Sequence, residues 1–178
     1  MRAVINSVLV MCLAAPTVLA QGGGNPISDG IRAQWNSAKR NIQQSAELVP
    51  DANWDYRPVD GVRSFSEILA HVAGASYAIC AAAKNEKTPY AEDYFEKNAK
   101  GRAAIVKATT DAIAYCDAAF TALTDASAGQ SVPNPFGSTP MSRAGALVLQ
   151  IGHNNEHYGN LVTYFRMNGI VPPSSRRQ

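Results

Sequence analysis

Apolar side chains recur every three or four positions in the first half of the chain, which is the spacing of one face of an α-helix. One such run covers residues 28–48 and a second covers residues 64–84. Ser64 and Glu67 open the second run with a capping-box pattern, in which each side chain accepts a hydrogen bond from the other residue's backbone amide. The inward positions of the first run are Ile31, Trp35, Ala38, Ile42, Ala46 and Val49.

The same periodicity predicts two more helices in the second half of the chain. They cover residues 102–124 and 140–168. In the later run, Thr139 is the expected N-cap and Pro140 the first-turn proline, and Gly169 marks the end.

The connections complete the predicted fold. Residues 86–100 have mixed character and predict a long crossover with room for one helical turn, whereas residues 126–138 are rich in glycine and proline and predict a loop. No segment alternates with the period of a β-strand. The pattern therefore predicts an all-α protein, a four-helix bundle with long crossover connections.

The N-terminal residues differ from the rest in composition. Arg2 supplies a positive start, residues 8–15 are almost entirely apolar, and residues 18–20 form a small-residue cleavage pattern. We therefore expect residues 1–20 to be a signal peptide cleaved after Ala20. A membrane anchor is the alternative, but the apolar stretch is shorter than the roughly 20 residues that span a bilayer.

Cleavage would leave a flexible leader over residues 21–27 and one domain over residues 28–175. We expect this mature chain to be exported, either periplasmic or secreted, without stable membrane insertion. Its composition is globular, with 46% hydrophobic and 17% charged residues in the full chain of 178. The net charge is only +2 and no basic run is sustained, which disfavours a nucleic-acid partner.

Three histidines form the candidate chemistry of this chain. His153 and His157 are one turn apart on one helix face, and His71 lies on the second helix. Any one of them alone is more often a surface or hydrogen-bonded histidine, but the spaced pair and the third ring together predict a divalent metal site. Three protein nitrogens leave a coordination position open, as in catalytic sites, and suit Zn²⁺ or Ni²⁺. Because ligation needs neutral imidazole, affinity should fall below about pH 6.

The surroundings of the histidines predict a pocket without a clear catalytic residue. Small side chains at Gly74, Ala75 and Ala78 are expected to leave volume beside His71. The polar side chains expected near the site are Glu67, Tyr77, Asn160 and Tyr164. None of these is assigned a catalytic role.

Residues 153–157 also match H-x-x-E-H, the inverted zinc-peptidase pattern, in which Glu156 would be the general base. Such peptidases take a further ligand well downstream, and only about twenty residues follow His157. Glu156 lies about 60° from the direction of the histidines around the helix. A role in the surroundings of the site, or on the surface, is therefore the expected one.

Three stretches resemble the DinB/YfiT-like superfamily of metalloenzymes. They read RSFSEILAHV over residues 63–72, HNNEHYGNL over 153–161 and YFRMNGIVPP over 164–173. The resemblance covers roughly residues 28–175. It implies a four-helix bundle, often dimeric, in which His71, His153 and His157 hold Zn²⁺ or Ni²⁺.

The resemblance also bears on the two cysteines that remain after signal cleavage, Cys80 and Cys116. An even pair in an oxidising compartment indicates a disulfide, with free buried thiols as the alternative. The parallel second and third helices that the resemblance implies would bring the two cysteines level. An antiparallel hairpin would separate them by about 20 Å, which is beyond the reach of a disulfide.

Two functions fit this sequence. The first is a metal-dependent, hydrolase-like enzyme acting on a small-molecule substrate. The second is a non-catalytic metal-binding or envelope stress-related module. Relatives with assigned activity include thiol-dependent transferases and isomerases, but their thiols are cytoplasmic, whereas this chain is expected to be exported.

Overall fold

A computed structural model of the chain describes residues 24–176. The predicted signal peptide and the first residues of the predicted leader lie outside this range. The helices are α1 Pro26–Leu48, α2 Phe65–Lys84, α3 Tyr94–Asn98, α4 Gly101–Thr121 and α5 Arg143–Met167. Two short strands, β1 Ser131–Val132 and β2 Met141–Ser142, and two 3₁₀ turns, Asp51–Asn53 and Pro173–Ser175, complete the description.

The four long helices form the predicted four-helix bundle. Both α1 and α2 pack against α4 and α5, so α1 and α2 lie on opposite sides of the bundle. Helix α1 begins at Pro26, which places the last two residues of the predicted leader in the helix. Its side chains Trp35, Ala38 and Ile42 are buried as the periodicity predicts.

Helices α2 and α4 run parallel to each other. Thr109 Oγ1 lies 3.3 Å from the Leu69 carbonyl oxygen, and Cys116 Sγ lies 3.3 Å from that of Ser76, so the contacts advance in the same direction along both helices. The chain returns from the end of α2 to the start of α4 through residues 85–100, which we call the crossover. The predicted helical turn in this crossover is α3.

Helix α2 is the central element of the bundle. By length and composition it resembles a membrane-spanning helix, but 89% of its most apolar window is buried inside the protein. The burial is that of a core helix. Its start is the predicted capping box: the Ser64 hydroxyl accepts from the Glu67 amide at 3.3 Å, and the Glu67 carboxylate accepts from the Ser64 amide at 2.8 Å.

The start of α5 differs from the prediction. Residues 131–132 pair with residues 141–142 in a short antiparallel ladder, which holds Met141 and Ser142 extended. The helix therefore begins at Arg143, and its N-cap is Ser142, whose hydroxyl accepts from the Gly145 amide at 3.0 Å. The expectation that Thr139 and Pro140 open this helix is wrong, because a two-residue strand intervenes.

Gly74 on α2 is where the crossover approaches most closely. A Cβ atom at this position would lie 1.7 Å from the Glu92 carbonyl oxygen. The prediction that Gly74 leaves open volume beside His71 is therefore wrong, because the backbone of the crossover occupies that space. Only a residue without a side chain lets the two backbones come this close.

Cys80 and Cys116 are joined by a disulfide between α2 and α4, with a Cα–Cα distance of 5.3 Å. Both residues are fully buried. The structure therefore contains both the predicted disulfide and the parallel helices that this disulfide requires. The bond closes a loop that contains the whole crossover.

We predict that Gly74→Ala lowers the free energy of unfolding by several kcal/mol, because the new methyl group must displace the Glu92 backbone. Gly30→Ala is the matched control, since a Cβ there meets nothing within 4 Å and alanine favours helix by up to about 1 kcal/mol. Urea unfolding of both variants measures the difference. Equal stability of Gly74→Ala and the wild type would contradict the close approach.

We also predict that Cys80 and Cys116 give no free thiol when the protein is denatured without reductant. Closing the 36-residue separation should contribute roughly 4 kcal/mol through the unfolded state, so reductant should shift denaturant unfolding by about that amount. Thiol counting and a non-reducing gel test the bond. Two free thiols per mature chain, or disulfide-linked dimers, would refute it.

Candidate metal centre

The three histidines converge between α2 and α5. These two helices run antiparallel. His71 faces His153, and further along α2 Ser76 Oγ accepts a hydrogen bond at 2.8 Å from Nε2 of Gln150, which precedes His153 on α5. The Nε2 atoms of His71 and His153 are 3.2 Å apart, and one ring nitrogen from each of the three histidines lies within 4.8 Å of the others. The three rings that the sequence selected are therefore brought together.

This geometry fits a divalent metal ion. Two imidazole nitrogens bound tetrahedrally to one Zn²⁺ at 2.0–2.1 Å lie about 3.3 Å apart, close to the observed separation of the two Nε2 atoms. Nδ1 of His153 and Nδ1 of His157 are buried without a hydrogen-bond partner among residues 24–176. The atom of His153 that faces His71 is Nε2, so the fit to a metal rests on the spacing of the Nε2 atoms and not on the unpaired Nδ1. The triad can hold a metal.

Burial keeps two of the rings neutral. Desolvation, followed by the proximity of His157 and His71, lowers the pKa of His153 to about 3. Desolvation and the charge of His71 likewise lower the pKa of His157 to about 4. Neutral imidazole is the form that binds metals. The expectation that metal affinity falls below about pH 6 assumed that each histidine has an ordinary pKa. Because the pKa values of His153 and His157 are lowered, protons should compete with a metal for these two rings only at lower pH.

The structure adds a carboxylate that sequence reasoning missed. Glu96 Oε1 on α3 is 2.9 Å from Nδ1 of His71, and Oε2 accepts from Arg63 Nε at 2.9 Å. Glu96 is 25 residues beyond His71, in a crossover without clear periodicity. No sequence signal pairs these two residues, because only the return of the chain along α2 brings them together.

A cleft of about 690 Å³ opens beside His157. His157 is the one member of the triad that lines it. His71 and His157 are buried and His153 is half-buried. The lining combines cationic, acidic and neutral side chains. They are Arg57, Gly61, Val62, Arg63, Glu67, Ile68, Glu96, Glu156, His157, Asn160 and Tyr164.

Three of the four polar side chains expected near the site line this cleft: Glu67, Asn160 and Tyr164. Glu67 is held by the capping box and by Arg57 at 3.0 Å, and its pKa is lowered chiefly by the hydrogen bond from the Ser64 amide. The Tyr164 hydroxyl donates to the Arg63 carbonyl oxygen at 2.8 Å, and burial raises its pKa.

Tyr77, the fourth, does not line the cleft. Its ring packs against Tyr90, Phe95 and Tyr115, with centroid distances of 4.9, 5.7 and 5.0 Å. Its pKa is raised to about 12, mainly by burial. It belongs to the packing of the crossover on α2 and α4.

The H-x-x-E-H pattern does not assemble as an inverted zinc peptidase. The third nitrogen beside His153 and His157 belongs to His71, which precedes them in the chain, and not to a downstream residue. Glu156 is exposed and lines the cleft. It therefore borders the site, and the match to the peptidase pattern is coincidental.

Comparison with known proteins agrees with the fold. The family model of the DinB superfamily matches residues 34–161, and the chain belongs to that superfamily. No curated protein matches its sequence.

Solved structures with the same fold are distant in sequence. A DinB-like protein from Bacillus cereus ATCC 10987 has a TM-score of 0.67 and 18% identity, over 82% of this chain and 95% of that one. YfiT from Bacillus subtilis, described as a probable metal-dependent hydrolase with an unusual four-helix bundle topology, has a TM-score of 0.62 and 15% identity, over 88% and 94%. A mycothiol-dependent maleylpyruvate isomerase has a TM-score of 0.62 and 16% identity, over 75% and 60%.

The lowered pKa values predict an acid-sensitive metal-free protein. Below pH 6.5 the unfolded state binds protons at His153 and His157, whereas the folded state does not until pH falls to about 3 for His153 and about 4 for His157. The free energy of unfolding should therefore fall as pH drops from 6.5 towards 4. The upper limit is about 1.4 kcal/mol per pH unit for each histidine, and solvent in the open cleft should screen the charges and reduce this value.

Urea unfolding in the presence of a chelator, at pH 7.5 and pH 5, measures this effect. His153→Gln/His157→Gln is the control, because glutamine keeps polar side chains at both positions and does not titrate. Between pH 7.5 and pH 5, the free energy of unfolding of the wild type should fall by about 1–2 kcal/mol more than that of the variant. Parallel pH profiles would show that these rings do not titrate differently in the folded and unfolded states.

Proposed function

We propose that this protein binds one divalent metal ion, Zn²⁺ or Ni²⁺, through His71, His153 and His157, and that it is a metal-dependent, hydrolase-like enzyme. The observation that carries the proposal is the convergence of three imidazoles from two helices beside a cleft. Three protein ligands leave a coordination position for a substrate or water, as catalytic sites do. A divalent ion held there supplies Lewis acidity to a substrate oxygen or to water.

The side chains around the cleft suit a small polar molecule. Arg57 and Arg63 lie in the wall but are each engaged by a carboxylate, Glu67 and Glu96 respectively. Glu156 and Asn160 line the same cleft and make no side-chain hydrogen bond within the described residues. They are the side chains most available to contact a substrate beside His157.

Two relatives support an enzymatic role. YfiT is described as a probable metal-dependent hydrolase, and another protein of the same fold is a mycothiol-dependent maleylpyruvate isomerase. At 15–16% identity these relatives share the fold alone. The choice of a hydrolase-like reaction for this chain therefore rests on the open triad and the cleft.

The second candidate, a non-catalytic metal-binding or envelope stress-related module, has one observation in its favour. The residues that could serve as acid or base in the cleft are largely committed to other contacts, with Glu67 bound to Arg57, Glu96 bound to His71 and Tyr164 bound to the Arg63 backbone. Assays of the metal-loaded protein against esters, amides and phosphoesters separate the two. Turnover that chelation abolishes and metal restores indicates the enzyme, and tight binding without turnover indicates the module.

We also infer that the protein is exported. The charged start, apolar stretch and small-residue pattern of residues 1–20 support this, and a buried Cys80–Cys116 disulfide is compatible with an oxidising compartment. Cell fractionation followed by N-terminal sequencing tests it. A mature N-terminus at Gln21 in the exported fraction is expected, and an intact Met1 in the cytoplasmic fraction would contradict export.

We predict that His71→Ala, His153→Ala and His157→Ala each remove most of the bound metal while the protein stays helical, because each deletes one of three ligands. Asn155→Ala is the matched control, since Asn155 is exposed on α5 between the two ligands and should leave binding unchanged. Elemental analysis of purified protein, paired with circular dichroism, measures both effects. A triple histidine variant that retains stoichiometric metal would refute the proposed centre.

A further inference from the structure

The crossover contributes a carboxylate to the histidine cluster. Glu96 Oε1 lies 2.9 Å from Nδ1 of His71. A carboxylate can only accept, so Nδ1 carries the proton and donates. In neutral imidazole the lone pair then resides on Nε2, the atom that faces Nε2 of His153 at 3.2 Å.

We propose that Glu96 is a positioning residue that fixes the tautomer and ring orientation of His71, so that Nε2 is presented to a divalent cation. This inference rests on the proposed metal centre and extends it from the ligands to the crossover. A ligating histidine commonly donates its other N–H to a carboxylate in this way, which fixes the ring and raises its basicity.

The arrangement distinguishes His71 from the other two rings. Nδ1 of His153 and Nδ1 of His157 have no hydrogen-bond partner within residues 24–176. His71 is therefore the ring of the triad that a charged partner orients. The loss of an orienting hydrogen bond on removal of Glu96 should be confined to this ring.

Three features of the fold hold Glu96 in place. Arg63 binds its other carboxylate oxygen at 2.9 Å. Phe95, the preceding residue, stacks on Tyr77 of α2 with ring centroids 5.7 Å apart. Gly74 lets the crossover backbone at Glu92 lie directly on α2, two residues before α3 begins at Tyr94 and one turn before Glu96.

Glu96→Gln and Glu96→Ala separate charge from contact. The glutamine retains an oxygen that can accept from Nδ1 but lacks the charge, whereas the alanine removes the acceptor altogether. Glu92→Gln is the matched control, because it removes one exposed carboxylate from the same crossover and that side chain makes no hydrogen bond within the described residues.

Competition titration against a chromophoric chelator measures Zn²⁺ affinity. Glu96→Ala should bind Zn²⁺ about 10–100-fold more weakly than the wild type, as expected for loss of a partner to a ligating histidine. The Zn²⁺ affinity of Glu96→Gln should lie between those of Glu96→Ala and the wild type, and the affinity of Glu92→Gln should equal that of the wild type. The melting temperature of the metal-free protein should change little in Glu96→Gln and Glu92→Gln, because the Arg63–Glu96 pair is partly exposed. It should fall in Glu96→Ala, which leaves Nδ1–H of the buried His71 without its acceptor, so affinities are compared at a temperature at which every variant is folded.

Nitrogen-15 NMR of the metal-free protein provides a second readout that a merely structural role would not move. The His71 ring should be the Nδ1–H tautomer in the wild type and lose that preference in Glu96→Ala, with His71→Gln used to assign its signals. Unchanged affinity and an unchanged tautomer in Glu96→Ala would overturn this inference alone. A wild-type protein that binds no Zn²⁺ would instead overturn the proposed metal centre, and this inference with it.

Discussion

Helices α2 and α4 run in the same direction, so the chain must return along the length of α2 before α4 can begin. A helix of 20 residues is about 30 Å long. The 16 residues of the crossover can span about 50 Å when extended, which is enough for the return and leaves slack for the single turn of α3. A tight hairpin between these helices is excluded by the direction of their contacts.

This return determines much of the remaining structure. The crossover must lie against a helix that is already buried by α4 and α5, and at Gly74 the two backbones come close enough that any side chain would collide. The parallel course brings Cys80 level with Cys116, and their disulfide closes the loop that contains the crossover. Glu96 arrives beside His71 by the same route.

The histidine cluster combines a buried helix with an open cleft. His71 lies in the first turns of α2, which the capping box at Ser64 and Glu67 anchors. Desolvation holds His153 and His157 in the neutral form that binds metals, while the cleft beside His157 gives a small molecule access to the edge of the cluster. A site of this kind needs both properties, because full burial would exclude a substrate and full exposure would let protons compete at mild acidity.

Several elements could be predicted from local signals in the sequence alone. Helical periodicity, the capping box and the i, i+4 spacing of His153 and His157 depend on residues within a turn or two of one another, and His71 is the one other histidine of the sequence. Tertiary structure decided what depends on contacts between distant segments. Glu96 meets His71 across 25 residues, Gly74 admits the crossover instead of a pocket, Tyr77 packs away from the cleft, and a strand pairing ten residues apart delays α5 to Arg143. Such contacts carry no local signal, because they follow from how the chain returns along α2 and not from the residues on either side of each position.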